Sequence, residues 1–210
     1  HVRSRRQRQM CIRDRIKYSA EKEFLYEAAR ITIAAQARPE LVPPVEALTS
    51  DYIVTGDSGP SLCDWVENPR LPADRKLHIL EMTGEGLAKL HESKIIHGRP
   101  ALRDITFKNE KITFLDWQSR LYFNDISKQK IQDVLMLLHG LYRENYEEET
   151  LYAAALEKGY KHIAGEKTWK ETEQLLKKYR FVGKIAKKLN RFHWKDLEAA
   201  EKIYAHFHLI

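Results

Sequence analysis

Residues 95–105, IIHGRPALRDI, followed at residues 112–117 by ITFLDW, decide how the rest of this chain reads. Asp104 follows His97 by seven positions, and Asp116 follows Asp104 by twelve, at the end of an apolar strand pattern. A loop aspartate and a strand-end aspartate are suited to converging on one Mg2+ held between nucleotide phosphates. That ion takes hard oxygen ligands and needs few protein carboxylates beside phosphate oxygens. Without further context the same two aspartates also read as turn or capping residues.

Working outward, the 210 residues suffice for one full domain or for two small lobes around one cleft. Apolar residues make up 43% and charged residues 31%, an ordinary composition for a folded chain. Cys11 and Cys63 form neither a disulfide framework nor a metal-ligand spacing, which fits a reducing, cytoplasmic compartment. No apolar run approaches the length of a membrane span. The first residues carry arginines but no apolar stretch, unlike a secretory signal. The net charge of +6 is concentrated at the start: residues 1–15 hold six arginines against one aspartate. Residues 5–15, RRQRQMCIRDR, resemble a translated sequencing adapter. The expectation is therefore that residues 1–15 are a non-native tail, that the native frame begins near Ile16, and that the true N-terminus is lost.

The pattern from Ile16 to Gln36 is helical, with Phe24, Ala28, Ile31 and Ala35 at spacings of three and four. Pro43 and Pro44 close off that region. Short strands are expected at Val45–Leu48 and Tyr52–Thr55, a turn at 56–60, and a short helix at Leu62–Val66. Pro72–Glu92 reads as a long helix whose Gly84 and Gly86 lower propensity but permit close packing. Ile95–Ile96 suits a short strand, and residues 107–115 suit a hairpin turning near Asn109 and Glu110. Helices are expected at Lys130–Arg143, Glu148–Lys158, Thr168–Leu189 and Trp194–His208, the last beginning after a cap near His193. This order is α+β with segregated elements, not alternating βα units.

The motifs together resemble the protein-kinase-like superfamily over residues 24–139, most nearly the bacterial lipopolysaccharide kinase and small atypical kinase group. Residues 59–62, GPSL, resemble the segment after the hinge, and residues 84–91, GEGLAKLH, the helix leading to the catalytic loop. Residues 97–104, HGRPALRD, resemble that loop, and residues 115–117, LDW, the metal-binding motif at a strand end. The resemblance implies a kinase-like fold with residues 16–58 as the remnant of a truncated N-terminal lobe and residues 59–210 as a mainly helical C-terminal lobe. It implies that Asp116 and Asp104 bind Mg2+ and that Glu27 pairs with an ATP-binding lysine, for which Lys17 is the candidate. It implies structural roles for His97, supporting the loop backbone, and for Asp133, the buried aspartate of the next helix that braces the loop.

Two departures qualify that picture. Arg99 occupies the usual position of the catalytic base, and a guanidinium holds its proton at ordinary pH, so it cannot serve as one. It is suited instead to clamping a transferring phosphate or the substrate. No glycine-rich loop precedes Glu27 either. The expected activity is an atypical kinase moving the ATP γ-phosphate to a saccharide, a lipid-linked sugar or a small-molecule or protein acceptor. The competing reading is a catalytically impaired pseudokinase or interaction scaffold. The basic, amphipathic tract at residues 171–191 invites peripheral contact with an anionic inner-membrane surface, or a plain solvated face. A nucleic-acid-binding module is the least favoured reading, because the charge excess belongs to the tail.

Overall fold

The computed structural model describes residues 20–119, 123–189 and 194–210. The expected tail, Ile16 and Lys17 lie outside the described residues. Helix α1 (Ala20–Ala37) buries Ala28, Ile31 and Ala34 on one stripe. It stops where Pro39 follows Arg38, and one 3-10 turn (Pro39–Leu41) redirects the chain. Strands β1 (Val45–Leu48) and β2 (Ile53–Thr55) form an antiparallel pair, irregular between Val45 and Ala47. The sequence places these strands to within one residue, because a proline pair and a polar turn bracket them.

Helix α2 (Leu62–Glu67) starts at a capping box: Asp64 N–H donates to the Ser61 hydroxyl, and Ser61 N–H donates to the Asp64 carboxylate. Just before it, Gly59 has φ +90°, and a Cβ there would lie 2.7 Å from the Lys108 Cβ, so only glycine fits. Helix α3 (Ala73–Glu92) is followed by the β3 (Ile105–Lys108) and β4 (Lys111–Phe114) hairpin. Asn109 and Glu110 both have positive φ at its two-residue turn, the backbone that matches the twist of the strands.

Beyond it come α4 (Ile126–Glu144), α5 (Glu149–Ala164), α6 (Lys167–Lys178), α7 (Arg180–Leu189) and α8 (Lys195–His206). Asp125 starts α4 four residues earlier than the sequence suggests, its carboxylate accepting from the Ser127 and Lys128 N–H groups. The expected cap near His193 lies outside the described residues, and Trp194 precedes the first turn of α8. One continuous core joins α1, α3, the β3–β4 hairpin and the later helices, through residues such as Leu87, Phe114, Leu138, Leu156 and Ile203. The architecture is α+β with helix predominating and, among the described residues, two small, separate sheets. Among the described residues, no helix is long and apolar enough to cross a membrane.

Two expectations are corrected. Ile95–Ile96 is not a strand. Lys94 turns left-handed (φ +59°), and the N–H groups of Lys94 and Ile95 donate back to the carbonyls of His91 and Leu90, closing α3 in a Schellman arrangement. The expected helix Thr168–Leu189 is two helices broken at Tyr179. There the N–H groups of Tyr179 and Val182 close on Leu175, Leu176 and Tyr179, and α7 swings Gly183 against the Tyr204 ring of α8.

Candidate functional site

The site is assembled around Asp133, fully buried on α4. One of its carboxylate oxygens accepts from the His97 N–H at 2.7 Å, the other from the Gly98 N–H at 2.6 Å. His91 Nε2, on α3, donates to the first oxygen at 3.1 Å, and its Nδ1 lies 2.7 Å from the Tyr160 hydroxyl of α5. A buried carboxylate is tolerable only when its lone pairs are met by donors, and here one side chain of α3 and two loop N–H groups supply them. Gly98 (φ +90°) bends the loop so that consecutive N–H groups face one carboxylate. Gln132 then donates to the Gly98 carbonyl at 2.8 Å.

His97 carries the restraint to the second acidic segment. Its Nε2 donates to the Leu115 carbonyl at 2.8 Å, with the ring between Phe114 and Trp117. Complete burial pulls its pKa below the usual histidine value, against the opposing pull of Asp133, and so favours the neutral ring. The Leu115 N–H donates to the Asp104 carbonyl at 2.7 Å. The loop ending at Asp104 and the strand end carrying Asp116 are thus tied by both main-chain and side-chain bonds.

Asp116 itself is held left-handed at φ +62°, which costs on the order of 1 kcal/mol for a non-glycine residue. Its side chain is only 8% exposed, and Oδ1 is buried with no hydrogen-bond partner among the described residues. An Arg99 terminal nitrogen stands 3.9 Å from Oδ2, an ion pair too long to be a hydrogen bond. Asp104 is 5% exposed, with Arg103 Nε 3.5 Å from its Oδ2. An unsatisfied, buried carboxylate oxygen next to a second carboxylate-bearing loop is a donor set that fits a hard cation. Among the described residues no group of three or more histidine, cysteine or acidic side chains gathers at one point.

Glu27 lies half-buried on α1, and its expected partner Lys17 is outside the described residues. One turn further on stands Arg30, which no sequence motif marks. Its guanidinium donates to the carbonyls of Trp117 (3.1 Å), Ser119 and Ile96. It thereby joins α1 to both acidic segments, and it also lies 5.7 Å from the Trp117 ring centre. Burial pulls its pKa down, with Tyr26 and Asp133 opposing. Its place beside the stripe of Ala28, Ile31 and Ala34 is its one mark in the sequence, and that mark names no partner.

No family model matches the chain. Over 114 residues, 54% of the chain, it is 32% identical to an uncharacterized protein of Haemophilus influenzae, and the match spans 46% of that relative. The chain thus spans about half the length of that curated protein. Over 172 residues, 80% of the chain, it is 25% identical to the KEOPS complex subunit Bud32 of Pyrococcus abyssi, covering 77% of it. This distant likeness is a hint of the protein-kinase-like superfamily.

Proposed function

We propose that this protein is an atypical kinase-like phosphotransferase of the lipopolysaccharide kinase kind, moving the ATP γ-phosphate to a saccharide, a lipid-linked sugar or another acceptor. One observation carries the reading: Asp133 fixes the His97–Gly98 backbone, and His97 fixes Leu115, so the segments bearing Asp104 and Asp116 are locked together. Asp116 and Asp104 would hold Mg2+, which when bound supplies positive charge against the phosphates. Glu27, with Lys17, would orient the nucleotide. Arg99 supplies charge beside the reacting groups and takes no proton. In a loose phosphoryl-transfer transition state, positioning and charge outweigh general base catalysis, so the arginine is compatible with turnover.

The test is transfer of labelled γ-phosphate by the longest natural form of the protein, with lipid-linked and free saccharide acceptors. Asp116→Asn is expected to reduce transfer at least a hundredfold while the melting temperature holds. Undiminished transfer by an Asp104→Asn/Asp116→Asn double variant would sink the mechanism. The pseudokinase or scaffold reading is favoured by the Arg99–Asp116 pair, because a guanidinium there competes with a cation for the same carboxylate. Mg2+-dependent ATP binding without turnover on any acceptor selects it. Peripheral contact with an anionic membrane through α7 belongs to the same proposal, since it brings a lipid-linked acceptor within reach.

A further inference from the structure

A cavity of about 180 Å³ lies between residues 99–103 and the second half of α4. Arg99, Arg103 and Arg143 line it, with His139, against the single carboxylate of Glu144. We infer that this cavity is an anion subsite that receives a phosphate group already present on the acceptor. The inference rests on the phosphotransfer reading for its link to an acceptor, but the subsite itself stands on its own geometry.

Three guanidinium groups border one hollow, beside apolar side chains such as Leu102 and Met136. Each has one carboxylate neighbour: Asp116 at 3.9 Å from Arg99, Asp104 at 3.5 Å from Arg103, and Asp196 at 2.9 Å from Arg143. Those contacts use one nitrogen apiece, whereas a guanidinium carries five N–H donors in a fixed fork. The Arg143 contact is close but poorly angled, and its buried Nε has no hydrogen bond among the described residues. Planar forks of this kind suit tetrahedral oxyanions, which accept two parallel hydrogen bonds from each.

Size limits the ligand. The volume equals roughly six waters' share of the liquid, at about 30 Å³ each. It falls below the roughly 300–1,000 Å³ of pockets for whole drug-sized ligands. One phosphate group fits within it. Position gives the connection to chemistry, because Arg99 both lines the cavity and reaches Asp116. An acceptor anchored there by its phosphate would lie on the Arg99 side that leads to Asp116.

Titration calorimetry at low salt tests this with three probes: inorganic phosphate, glucose 6-phosphate and soluble dihexanoyl phosphatidic acid. Binding of at least one is expected. Tighter binding of the sugar phosphate marks a saccharide acceptor, and tighter binding of the lipid marks a headgroup. Arg103→Ala and Arg143→Gln should each weaken binding at least tenfold, Arg103→Lys less than Arg103→Ala, and Lys184→Ala on α7 not at all. Melting temperatures report whether each variant is folded, and ATP–Mg2+ affinity is measured on the same samples. Absence of binding by all three probes, or binding indifferent to Arg103 and Arg143, overturns the subsite even where nucleotide binds. Phosphate binding that depends on these arginines, with no nucleotide binding, supports the subsite and removes the phosphotransfer reading instead.

Discussion

At the scale of single residues, His97 holds two loops together by being neutral. Its Nε2–H is committed to the Leu115 carbonyl, and its buried Nδ1 has no partner among the described residues to welcome a proton. Burial, the dominant cause, lowers the folded-state pKa below the unfolded value of about 6.5. The sign follows from proton counting. Well above pH 6.5 neither state is protonated at this ring, and the stability it secures is complete. As pH falls below 6.5, the unfolded chain takes up a proton that the folded ring refuses, so stability declines until the folded pKa is passed. The slope is at most about 1.4 kcal/mol per pH unit for each such group. His139, also lowered mainly by burial, adds in the same direction. The urea midpoint is expected to fall between pH 7.5 and 5.5, and His139→Gln should flatten part of that fall. A midpoint constant across this window would mean that His97 is not kept neutral. His97 and Asp133 are named in the sequence only through the resemblance of their segments to a kinase catalytic loop and the helix after it. Arg30 could not be singled out there, since three carbonyls from distant segments become its partners only after α1 docks.

At the scale of elements, α3 and α5 cross at two glycines. A Cβ on Gly84 would sit 2.1 Å from the Leu156 carbonyl oxygen, and one on Gly159 would sit 1.9 Å from that of Glu81. Both obstacles are backbone, so neither can rotate away. Alanine raises helix propensity by about 1 kcal/mol over glycine, whereas overpacking of a close-packed contact costs about 1–3 kcal/mol or more. The steric term wins: Gly84→Ala and Gly159→Ala are expected to lower stability by about 2 kcal/mol or more in urea titrations. Gly140→Ala, whose Cβ would meet nothing nearer than 3.4 Å, should leave it unchanged or raise it. Stabilisation by Gly159→Ala would show that the helices are not in this contact. Strong punctuation made most elements legible, as with the prolines before β1 and the left-handed turn at Asn109–Glu110. The break at Tyr179 had no such mark. No glycine or proline stands there, and the apolar spacing continues; the chain bends because Gly183 and Ala186 pack inward against α8. Ile95 and Ile96 have strand-like side chains, but the Ile95 N–H is already used in closing α3 and the Ile96 carbonyl accepts from Arg30.

At the scale of the whole molecule, the consequence of that break is where α7 leaves its apolar residues. With Gly183 and Ala186 facing inward, Phe181, Val182 and Ile185 are turned outward, at 58%, 40% and 50% exposure. Lys178, Arg180, Lys184, Lys187 and Lys188, all exposed, surround them. A solvated helix face normally carries its charge without a contiguous apolar stripe. In the proposed membrane contact, these apolar side chains would enter a bilayer interface while the cations meet anionic headgroups. The two contributions separate experimentally. Co-sedimentation with vesicles of phosphatidylcholine and 30% phosphatidylglycerol should exceed that with phosphatidylcholine alone by tenfold or more, and should weaken as salt screens the lysines. Phe181→Ser/Ile185→Ser should abolish the residual binding at high salt and leave the melting temperature unchanged, because these side chains pack against solvent. Equal binding to neutral and anionic vesicles would refute the electrostatic half. Indifference to the serine pair would refute insertion, and concentration-dependent self-association lost in that pair would identify a second copy of the chain as the true occupant of this face.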